Sequence, residues 1–458
     1  MTDSAVPTPL SVGFISLGCA KNLVDSQIMA GRLVTANITL APTPEEADVI
    51  IVNTCSFIEE AREESMEMIL SACQLKQDGD CQAVLVAGCL PQRYRDRIQD
   101  ALPDVDAFIG LDDLDRVPEI VRALGNGERN IIAISEHSER LFDPVVPVVF
   151  SGGAHAYLKI AEGCNHRCAF CAIPGIRGRH RSRTLDNVIT EAKSLLSQGF
   201  RELDIISQDV MFYGRDLNDN KTSLSNLLRK LSELDGDFWI RLLYGYPSLV
   251  SDELLEVIAT TPQTCHYLDV PIQHSHPDIL RAMQRGQTAP HVADMVTRVR
   301  KAMPDAVIRT TCLVGFPGET EAHFQHLLQF CRDMRFDHLG AFVFSPEEGT
   351  AAYDMDATPP LDVAEDRYAR IMEQQKQIVD ESSSALVGKR TRILLETRDD
   401  ADRSIWRGRS RHQAPEVDGI TFVENVPEHL GLGDFVDATF TEPYDYDMRA
   451  RYDNEENL

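Results

Sequence analysis

The 458-residue sequence predicts an α/β protein with a small all-β domain at its C-terminal end. Two series of short β-runs alternating with amphipathic helical segments occupy residues 1–145 and 150–384. This alternation indicates crossover connections and therefore two parallel sheets. Beyond residue 386, β-runs follow one another with Gly, Asp and Pro between them, which is typical of a small barrel or sandwich.

The first domain, residues 1–145, is expected to be a parallel-sheet α/β domain. Its β-runs are VGFISL, DVIIVN and AVLVA, at residues 12–17, 48–53 and 83–87. Amphipathic segments such as SQIMAGRLV lie between them. A connector with Pro and Gly, FDPVVPVVFSGGAH, is expected to close the domain.

The second domain, residues 150–384, contains six candidate strands separated by helical patterns. They are residues 156–160, 202–207, 239–244, 266–270, 307–314 and 339–345. Six β/α units fit a parallel barrel, complete or partial, and we expect a partial (β/α)6 barrel. A long polar helix at about residues 362–382 then leads into the third domain, residues 386–454. The β-runs of that domain are RTRILLET, SIWRGRS, ITFVE and DFVDATFTE.

Composition narrows the class of protein. Hydrophobic content of 43% and charged content of 26% are those of a soluble globular protein. The apolar runs are too short to span a bilayer, the first ten residues lack a secretory pattern, and a cytoplasmic location is expected. The net charge of −27 argues against a broad phosphate-binding surface; it reflects either general solubility or attraction to a basic partner.

Three dispersed cysteines occupy equivalent places in the first domain. Cys19, Cys55 and Cys89 each follow one of the three β-runs, in SLGC, VNTC and VAGC. The residues that follow parallel strands gather at one edge of the sheet, so the three thiols are expected to converge on a metal centre. The alternative is three unrelated buried cysteines. Burial as small apolar side chains is the expectation for Cys73, Cys81, Cys265, Cys312 and Cys331.

A second set of three cysteines is local. Cys164, Cys168 and Cys171 form a C-x3-C-x2-C motif in EGCNHRCAFCAIP, directly after the first barrel strand. A structural zinc site needs four ligands, and only His166, which lies between the cysteines, offers a nearby fourth. An iron–sulfur cluster held by three thiolates instead keeps one iron open to another ligand.

These residues resemble the radical S-adenosylmethionine superfamily, and the domain layout resembles its methylthiotransferases. The resemblance is carried by SLGCAKNLVDS, VNTCSF, VAGC, EGCNHRCAFCAIP, ISQDVMFYG, RLLYGYP and VGFPGET. It implies two 4Fe–4S clusters, one held by Cys164, Cys168 and Cys171 and an auxiliary one held by Cys19, Cys55 and Cys89. It also implies S-adenosylmethionine on the open iron of the first cluster, and a C-terminal domain of the TRAM type.

The resemblance implies an activity that replaces a C–H bond with C–S–CH3. One S-adenosylmethionine supplies the hydrogen-abstracting radical and a second supplies the methyl group, with sulfur delivered at the auxiliary cluster. An electron donor such as flavodoxin or ferredoxin is implied as a partner. The catalytic residues and those that position the substrate are not identified by this resemblance.

Two substrates are known in this family, a tRNA adenosine and an aspartate of small-subunit ribosomal protein twelve. LGCAKNLVDS, LDVPIQHSHPDILRAMQRG and FSPEEGTAA resemble the branch that acts on the ribosomal protein. Residues 388–458 carry ten Lys/Arg and sixteen Asp/Glu, so this domain favours a basic protein over nucleic acid, and we expect no stable nucleic-acid binding. Arg403, Arg407, Arg409 and Arg411 form a local exception, interpreted as a solvated strand face balanced by Asp399, Asp400 and Asp402.

Further cofactor contacts are expected at strand ends of the barrel. Phe170 is expected near the adenine, and Gln208 and Asp209 near the methionine part of S-adenosylmethionine. Arg241 is a candidate partner for a carboxylate, and Gly315 permits close backbone approach. For the polar residues the alternative is a structural hydrogen bond or ion pair. The alternatives for the whole protein are a tRNA methylthiotransferase, a non-catalytic iron–sulfur electron carrier and a structural zinc protein.

Overall fold

A computed structural model of the chain describes residues 10–136, 153–217, 219 and 221–453, apart from the side chain of residue 78. Residues 142–152 of the expected connector lie outside this part. None of the helices in the described ranges combines the length and the apolar composition that crossing a bilayer requires.

The first unit is a parallel sheet with six strands among the described residues, in the order β2-β1-β3-β4-β5-β6. The strands are β1 (Ser11–Ser16), β2 (Thr39–Leu40), β3 (Val49–Thr54), β4 (Ala83–Gly88), β5 (Ala107–Ile109) and β6 (Ile131–Ala133). The helices are α1 (Ala20–Thr35), α2 (Glu59–Asp78), α3 (Cys89–Tyr94), α4 (Ile98–Ala101) and α5 (Val117–Gly125). Alternate residues of β3 face opposite cores: Ile51 packs with Met29 of α1, and Ile50 packs with Ile69 of α2.

The second unit is an open parallel sheet whose six described strands run in the order β14-β13-β12-β11-β10-β7, which confirms the partial barrel. Its strands are β7 (His155–Lys159), β10 (Glu202–Ile206), β11 (Trp239–Leu242), β12 (Thr264–Asp269), β13 (Val307–Val314) and β14 (His338–Val343). The short strands β8 (Ala161–Glu162) and β9 (Arg181–Ser182) pair with each other.

Helices cover the outer face of this partial barrel and bury a large apolar core against it. They are α7 (Leu185–Ser197), α8 (Leu224–Ser232), α9 (Asp252–Thr260), α11 (Ala289–Ala302), α12 (Glu321–Met334) and α13 (Leu361–Ser384). The short helices α6 (Ile173–Arg177) and α10 (Pro277–Ala282) belong to two smaller clusters. The predicted third strand, 239–244, ends two residues early, because Tyr244 adopts a left-handed conformation with φ of 64°.

The third unit is a closed barrel in the order β15-β16-β17-β19-β18. Its strands are β15 (Arg390–Arg398), β16 (Trp406–Ser410), β17 (Thr421–Glu424), β18 (Phe435–Tyr444) and β19 (Asp447–Tyr452). The predicted all-β domain is therefore a barrel, with one strand, β19, that the sequence pattern did not reveal.

One apolar cluster joins all three units. It contains Val24 of α1, Tyr157 and Tyr267 of the partial barrel, and Leu394 of the closed barrel. Polar contacts reinforce this junction, because Arg409 of β16 lies 2.7 Å from both Glu202 and Glu396 and its side chain is 2% exposed. The C-terminal barrel thus closes the interior of the central one.

The basic cluster of the C-terminal domain is only partly the solvated face expected from sequence. Arg407 does pair with Asp399 at 2.7 Å. Arg409 is buried instead, and Arg411 donates to the backbone carbonyls of Pro262 and Thr264 in the partial barrel. For these two arginines the interpretation was wrong, since their strand and its following turn face another domain.

Candidate active site: two sets of three cysteines

The three dispersed cysteines lie together at one edge of the first sheet. Cys19 is the N-cap of α1, Cys55 directly follows β3, and Cys89 begins α3 directly after β4. Strands β1, β3 and β4 are neighbours, so their ends are adjacent. The thiols are close enough that the charges of Cys19 and Cys55 raise the pKa of Cys89, after the larger effect of burial. The structure therefore brings these residues together as the sequence predicts.

Glycines before two of these cysteines allow the turns to pack tightly. Gly18 has a φ of 85°, and a Cβ there would lie 2.6 Å from the Cβ of Cys55. Gly88 has a φ of 96°, and its Cβ would lie 2.2 Å from Asn53 Oδ1. The space next to both glycines is therefore filled by this chain, and any larger residue would push the cysteine turns apart.

Asn22, in the first helical turn of α1, ties these turns to one another. Its Nδ2 donates to the carbonyl of Thr54 at 2.7 Å and to that of Leu17 at 3.1 Å. Its backbone carbonyl accepts from Asn53 Nδ2 at 2.7 Å. Asn22 is completely buried. It lies within the SLGCAKNLVDS segment, but only the fold shows that its amide fixes two cysteine turns.

The C-x3-C-x2-C cysteines lie in the loop between β8 and α6. Cys171 donates its backbone N–H to the carbonyl of Cys168 at 3.1 Å, and Cys164 donates to Gly178 at 3.1 Å. The preceding Gly163 is required by a φ of 78° and by the carbonyl of Arg179, which would lie 2.1 Å from a Cβ. The loop is a tight turn held by backbone contacts on both sides.

A chain of aromatic and charged groups surrounds this loop. His166 Nε2 lies 2.7 Å from Asp209 Oδ2, and the imidazole stacks on Tyr246 with ring centroids 3.8 Å apart. The guanidinium of Arg285 lies 4.5 Å from the centre of the Tyr246 ring and donates from Nη1 to Cys168 Sγ at 3.6 Å. His166 is thus oriented by Asp209 and Tyr246.

Arg177 connects the two sets of cysteines. It ends α6, six residues after Cys171, and its Nη2 donates to Cys89 Sγ of the first unit at 3.4 Å. Its Nη1 lies 2.9 Å from Glu162 Oε1, and its Nη2 lies 3.1 Å from Asp25 Oδ2. Ala172, next to Cys171, packs in one apolar cluster with Cys89 and Ile176. Arg177 and Ala172, which follow the second set of cysteines in the chain, therefore meet Cys89 of the first set at a buried contact between the two domains.

A buried charge network lies behind this interface. Lys159 of β7 donates from Nζ to Asp25 and, at 2.8 Å, to Glu162. Burial opposes ionisation of Glu162, but Arg177 and Lys159 hold the pKa of its carboxyl well below the ordinary range. Two cations and two carboxylates thus neutralise one another. None of these four roles could be read from the sequence, because the partners lie up to 152 residues apart.

The thiols differ in acidity. Burial raises the pKa of Cys89 and Cys171 to about 12 and that of Cys164 to about 11. Burial acts to raise the pKa of Cys19, but the charges of Lys21 and Arg177 and the backbone N–H groups of Lys21 and Asn22 together lower it. Iron binds thiolates, so loading a metal centre at the buried cysteines must release protons. Three thiols on each side, with a guanidinium on one sulfur of each set, suit a charged iron–sulfur cluster.

The other predicted site residues lie in three different environments. Gln208 Nε2 donates to Glu162 Oε1 at 2.9 Å, Asp209 contacts His166, and Phe170 is half-buried against an apolar cluster. These three therefore lie beside the C-x3-C-x2-C loop. Gly315 has a φ of 76°, and a Cβ there would lie 2.6 Å from that of Ala364, so α13 makes the close approach.

Arg241 belongs to a different environment. Its Nε donates to Glu202 at 2.7 Å and its Nη1 donates to the carbonyl of Arg411 at 2.9 Å. The expected pairing with a carboxylate is thus made inside the protein, at the junction with the C-terminal barrel. The five cysteines expected to be core residues, Cys73, Cys81, Cys265, Cys312 and Cys331, are all buried.

Family models match three segments of the chain. The uncharacterized protein family UPF0004 matches residues 11–110, the radical SAM superfamily matches residues 158–331, and the TRAM domain matches residues 387–452. They agree with the predicted order of an α/β domain, a radical barrel and a TRAM-like β-domain.

Solved structures with similar folds include two radical S-adenosylmethionine enzymes. The methyltransferase TsrM from Kitasatospora setae, with cobalamin and a [4Fe-4S] cluster bound, superimposes with a TM-score of 0.57 at 14% identity, covering 76% of this chain and 74% of that one. OxsB, with aqua-cobalamin and S-adenosylmethionine bound, has a TM-score of 0.53 at 11% identity, covering 81% and 56%. At these identities the likeness concerns the fold.

Relatives with much higher identity match nearly the whole chain. The ribosomal protein uS12 methylthiotransferase RimO of Geobacter sulfurreducens is 41% identical over 438 residues, 95% of this chain and 97% of that protein. The protein of the same name from Symbiobacterium thermophilum is 43% identical over 441 residues, 96% of this chain and 90% of that protein. With the cysteine sets and domain order described above, these similarities show that the chain belongs to the RimO family of the radical S-adenosylmethionine superfamily.

Proposed function

We propose that this protein is a radical S-adenosylmethionine methylthiotransferase that converts an aspartate of ribosomal protein uS12 to 3-methylthioaspartate. It uses one S-adenosylmethionine to generate a radical, a second as methyl donor, and sulfur delivered at an auxiliary cluster. The names of the full-length relatives support the substrate. The observation that supports the mechanism is the contact of Arg177, six residues after Cys171, with Cys89 of the other set.

Each cysteine set holds a 4Fe–4S cluster in this proposal. Cys164, Cys168 and Cys171 hold the cluster that, with S-adenosylmethionine, supplies the hydrogen-abstracting radical, while Cys19, Cys55 and Cys89 hold the auxiliary cluster. Arg285 and Arg177 each donate to one sulfur of a set, which offsets negative charge on the thiolates. Arg177 and Cys89 are both buried, so their contact is shielded from water.

S-adenosylmethionine is held by residues beside the C-x3-C-x2-C loop. Phe170 provides an apolar surface for the adenine, and Gln208 and Asp209 provide polar groups for the methionine part. Gly315 contributes through the tight packing of its turn on α13. Arg241 is better explained by the structural alternative, because Glu202 and Arg411 already accept from its guanidinium.

A basic protein substrate suits the charge of the C-terminal barrel better than nucleic acid does. Several of its arginines are already paired with carboxylates, including Arg390 with Asp437 and Arg392 with Asp237. Its remaining acidic groups would attract ribosomal protein uS12 and repel phosphates, so stable nucleic-acid binding is not expected. An electron donor of the flavodoxin or ferredoxin type and a cytoplasmic location complete the proposal.

Iron and sulfide analysis of the anaerobically reconstituted protein tests the two clusters. We expect about eight iron atoms in the wild type, and a loss of about four in Cys55→Ala and in Cys168→Ala. Matched controls are Cys73→Ala and Cys265→Ala, buried cysteines of the same two domains that should leave the iron content unchanged. A single cluster, or no loss in either variant, would contradict the proposal.

Mass spectrometry tests the substrate. After incubation with S-adenosylmethionine, sulfide and reductant, ribosomal protein uS12 should gain one methylthio group in place of hydrogen on an aspartate. Cys55→Ala and Cys168→Ala should each abolish the product. Methylthio groups on tRNA but not on uS12 would favour the tRNA enzyme. The absence of 5′-deoxyadenosine would favour an electron carrier.

A further inference from the structure

A histidine cluster lies on two helices at the same end of the partial barrel as the cysteine loop, outside the site described above. His276 immediately precedes α10, and His323 and His326 lie in the first two turns of α12. A ring nitrogen of His276, a carboxylate oxygen of Asp278 and a ring nitrogen of His323 all lie within 4.8 Å of one another. The rings of His276 and His323 have centroids 4.2 Å apart.

The histidines on α12 are oriented by this chain through Nδ1. His323 Nδ1 lies 3.2 Å from the carbonyl of Gly318 and accepts from the backbone N–H of Thr320, also at 3.2 Å, and His326 Nδ1 lies 2.8 Å from Ser275 Oγ. In the tautomer that donates Nδ1–H, Nε2 is unprotonated and can bind a metal ion. At His323 this tautomer exchanges the bond from Thr320 for a bond to the Gly318 carbonyl. Hydrogen bonding of one ring nitrogen to a backbone or polar group is the usual support of metal-ligating histidines.

Asp278 keeps one oxygen for a ligand role. Its Oδ1 accepts from Arg281 Nη1 at 2.9 Å, and its Oδ2 lies 3.9 Å from His276 Nδ1. Two imidazoles and one carboxylate, with water or His326 in the fourth position, form a donor set that zinc and similar borderline ions prefer over magnesium or calcium. All four side chains are half-buried or exposed, so an ion can reach them.

We propose that His276, Asp278 and His323 bind a divalent transition-metal ion of the zinc class, which clamps α10 to α12. This clamp bears on the cysteine loop. Ala169, between Cys168 and Cys171, donates its backbone N–H to the carbonyl of Met283 at 2.9 Å, directly after α10. The ion therefore fixes the helix on which the loop rests, and it is independent of the proposed activity.

Zinc binding to the anaerobic, cluster-loaded protein tests the site, since occupied cysteines do not compete. Competition of Zn²⁺ with a chromogenic chelator is measured for the wild type and for the double variant His276→Asn, His323→Gln. Asn keeps an N-cap acceptor before α10, and Gln keeps the capping box of α12. The control is His291→Gln. His291 is exposed and is the third residue of α11, as His323 is of α12.

We expect the wild type and the control to bind one equivalent of Zn²⁺, and the double variant to bind it about tenfold more weakly or worse. Zn²⁺ should also slow hydrogen exchange of the amides in α10 and at the start of α12 in the wild type and the control, but not in the double variant. Equal affinity in all three proteins, or no stoichiometric binding by the wild type, overturns the proposal. Iron content measured before and after the titration confirms that the clusters are retained.

Discussion

Arg177 Nη2 lies 3.4 Å from Cys89 Sγ, although the two residues are 88 positions apart and belong to different domains. The guanidinium is 1% exposed and also contacts Asp25 and Glu162. One side chain thus joins a cysteine turn of the first sheet, helix α1 and the short strand β8 of the second unit. It supports the interface as well as the proposed auxiliary cluster.

Replacing Arg177 should destabilise the protein even without clusters. Arg177→Met leaves Asp25 and Glu162 buried with only Lys159 as a cationic partner, and we expect a loss of about 3–5 kcal/mol in the free energy of unfolding. Urea unfolding of the cluster-free protein measures this loss. Arg298→Met is the control, because Arg298 forms exposed ion pairs with Asp252 and Asp294 and should matter little. Similar effects of both variants would contradict the assigned network.

Replacing Arg285 should change the reduction potential of one cluster. Reduction adds negative charge, which the guanidinium beside Cys168 stabilises, so Arg285→Met should lower the potential of the cluster at that loop. A redox titration followed by electron paramagnetic resonance, in the Cys55→Ala background, isolates that signal. Arg281→Met, at an exposed position on α10, should leave the potential unchanged. An unaltered potential in Arg285→Met would remove the role given to this residue.

Glu347 should fasten the first domain to the barrel. It is 2% exposed, pairs with Arg93 at 2.9 Å and also contacts Arg62. Glu347→Ala leaves these two cations without a carboxylate at the interface and should cost about 3 kcal/mol. Faster hydrogen exchange in α3 reports the weakened contact. Glu348→Ala removes only an exposed pair with Arg97, so its exchange rates should match those of the wild type.

Glu319 should make stability depend on pH. Burial raises the pKa of its carboxyl to about 7 from the ordinary 4.5, although Arg367 and two backbone N–H groups oppose the shift. The folded state then binds more protons than the unfolded state between these values. The contribution of Glu319 to the free energy of unfolding is therefore complete below pH 4.5. It is lost as the pH rises towards 7, by at most about 3 kcal/mol. Glu319→Gln cannot titrate, so its unfolding midpoint should fall less than that of the wild type between pH 5 and pH 8. Parallel pH profiles would contradict this prediction.

Local patterns in the sequence predicted much of the fold. Buried strands such as β3 and β4 appear as continuous apolar runs, and the long helix α13 differs from its predicted range by one residue at its start and two at its end. The cysteines that follow β1, β3 and β4 could be placed at one sheet edge, because that requires only the parallel topology. Short strands such as β2 and β6, with two and three residues, carry too little pattern to be recognised.

Contacts between domains could not be predicted in this way. Arg409 and Arg411 look like the residues of a solvated strand, and no nearby residue indicates that their strand and turn face the partial barrel. The same holds for Lys159 and Asp25, which are 134 positions apart and meet only after two domains have packed. The charges within one segment indicate only which ion pairs can form inside that segment. The partners of Arg409, Arg411, Lys159 and Asp25 are determined by how the domains pack.

Helix α1 packs against two domains at once, and this limits how the domains can move when a substrate binds. Near its start, Ala20 and Val24 pack on the central barrel, and near its end Met29 and Leu33 pack on the first sheet. Because α1 packs in the cores of both domains, neither domain can rotate relative to the other without losing contacts to this helix. The relative position of the two sets of cysteines is therefore fixed when the protein folds. A protein substrate must therefore fit the site as the fold sets it, because the two domains cannot adjust their separation to it.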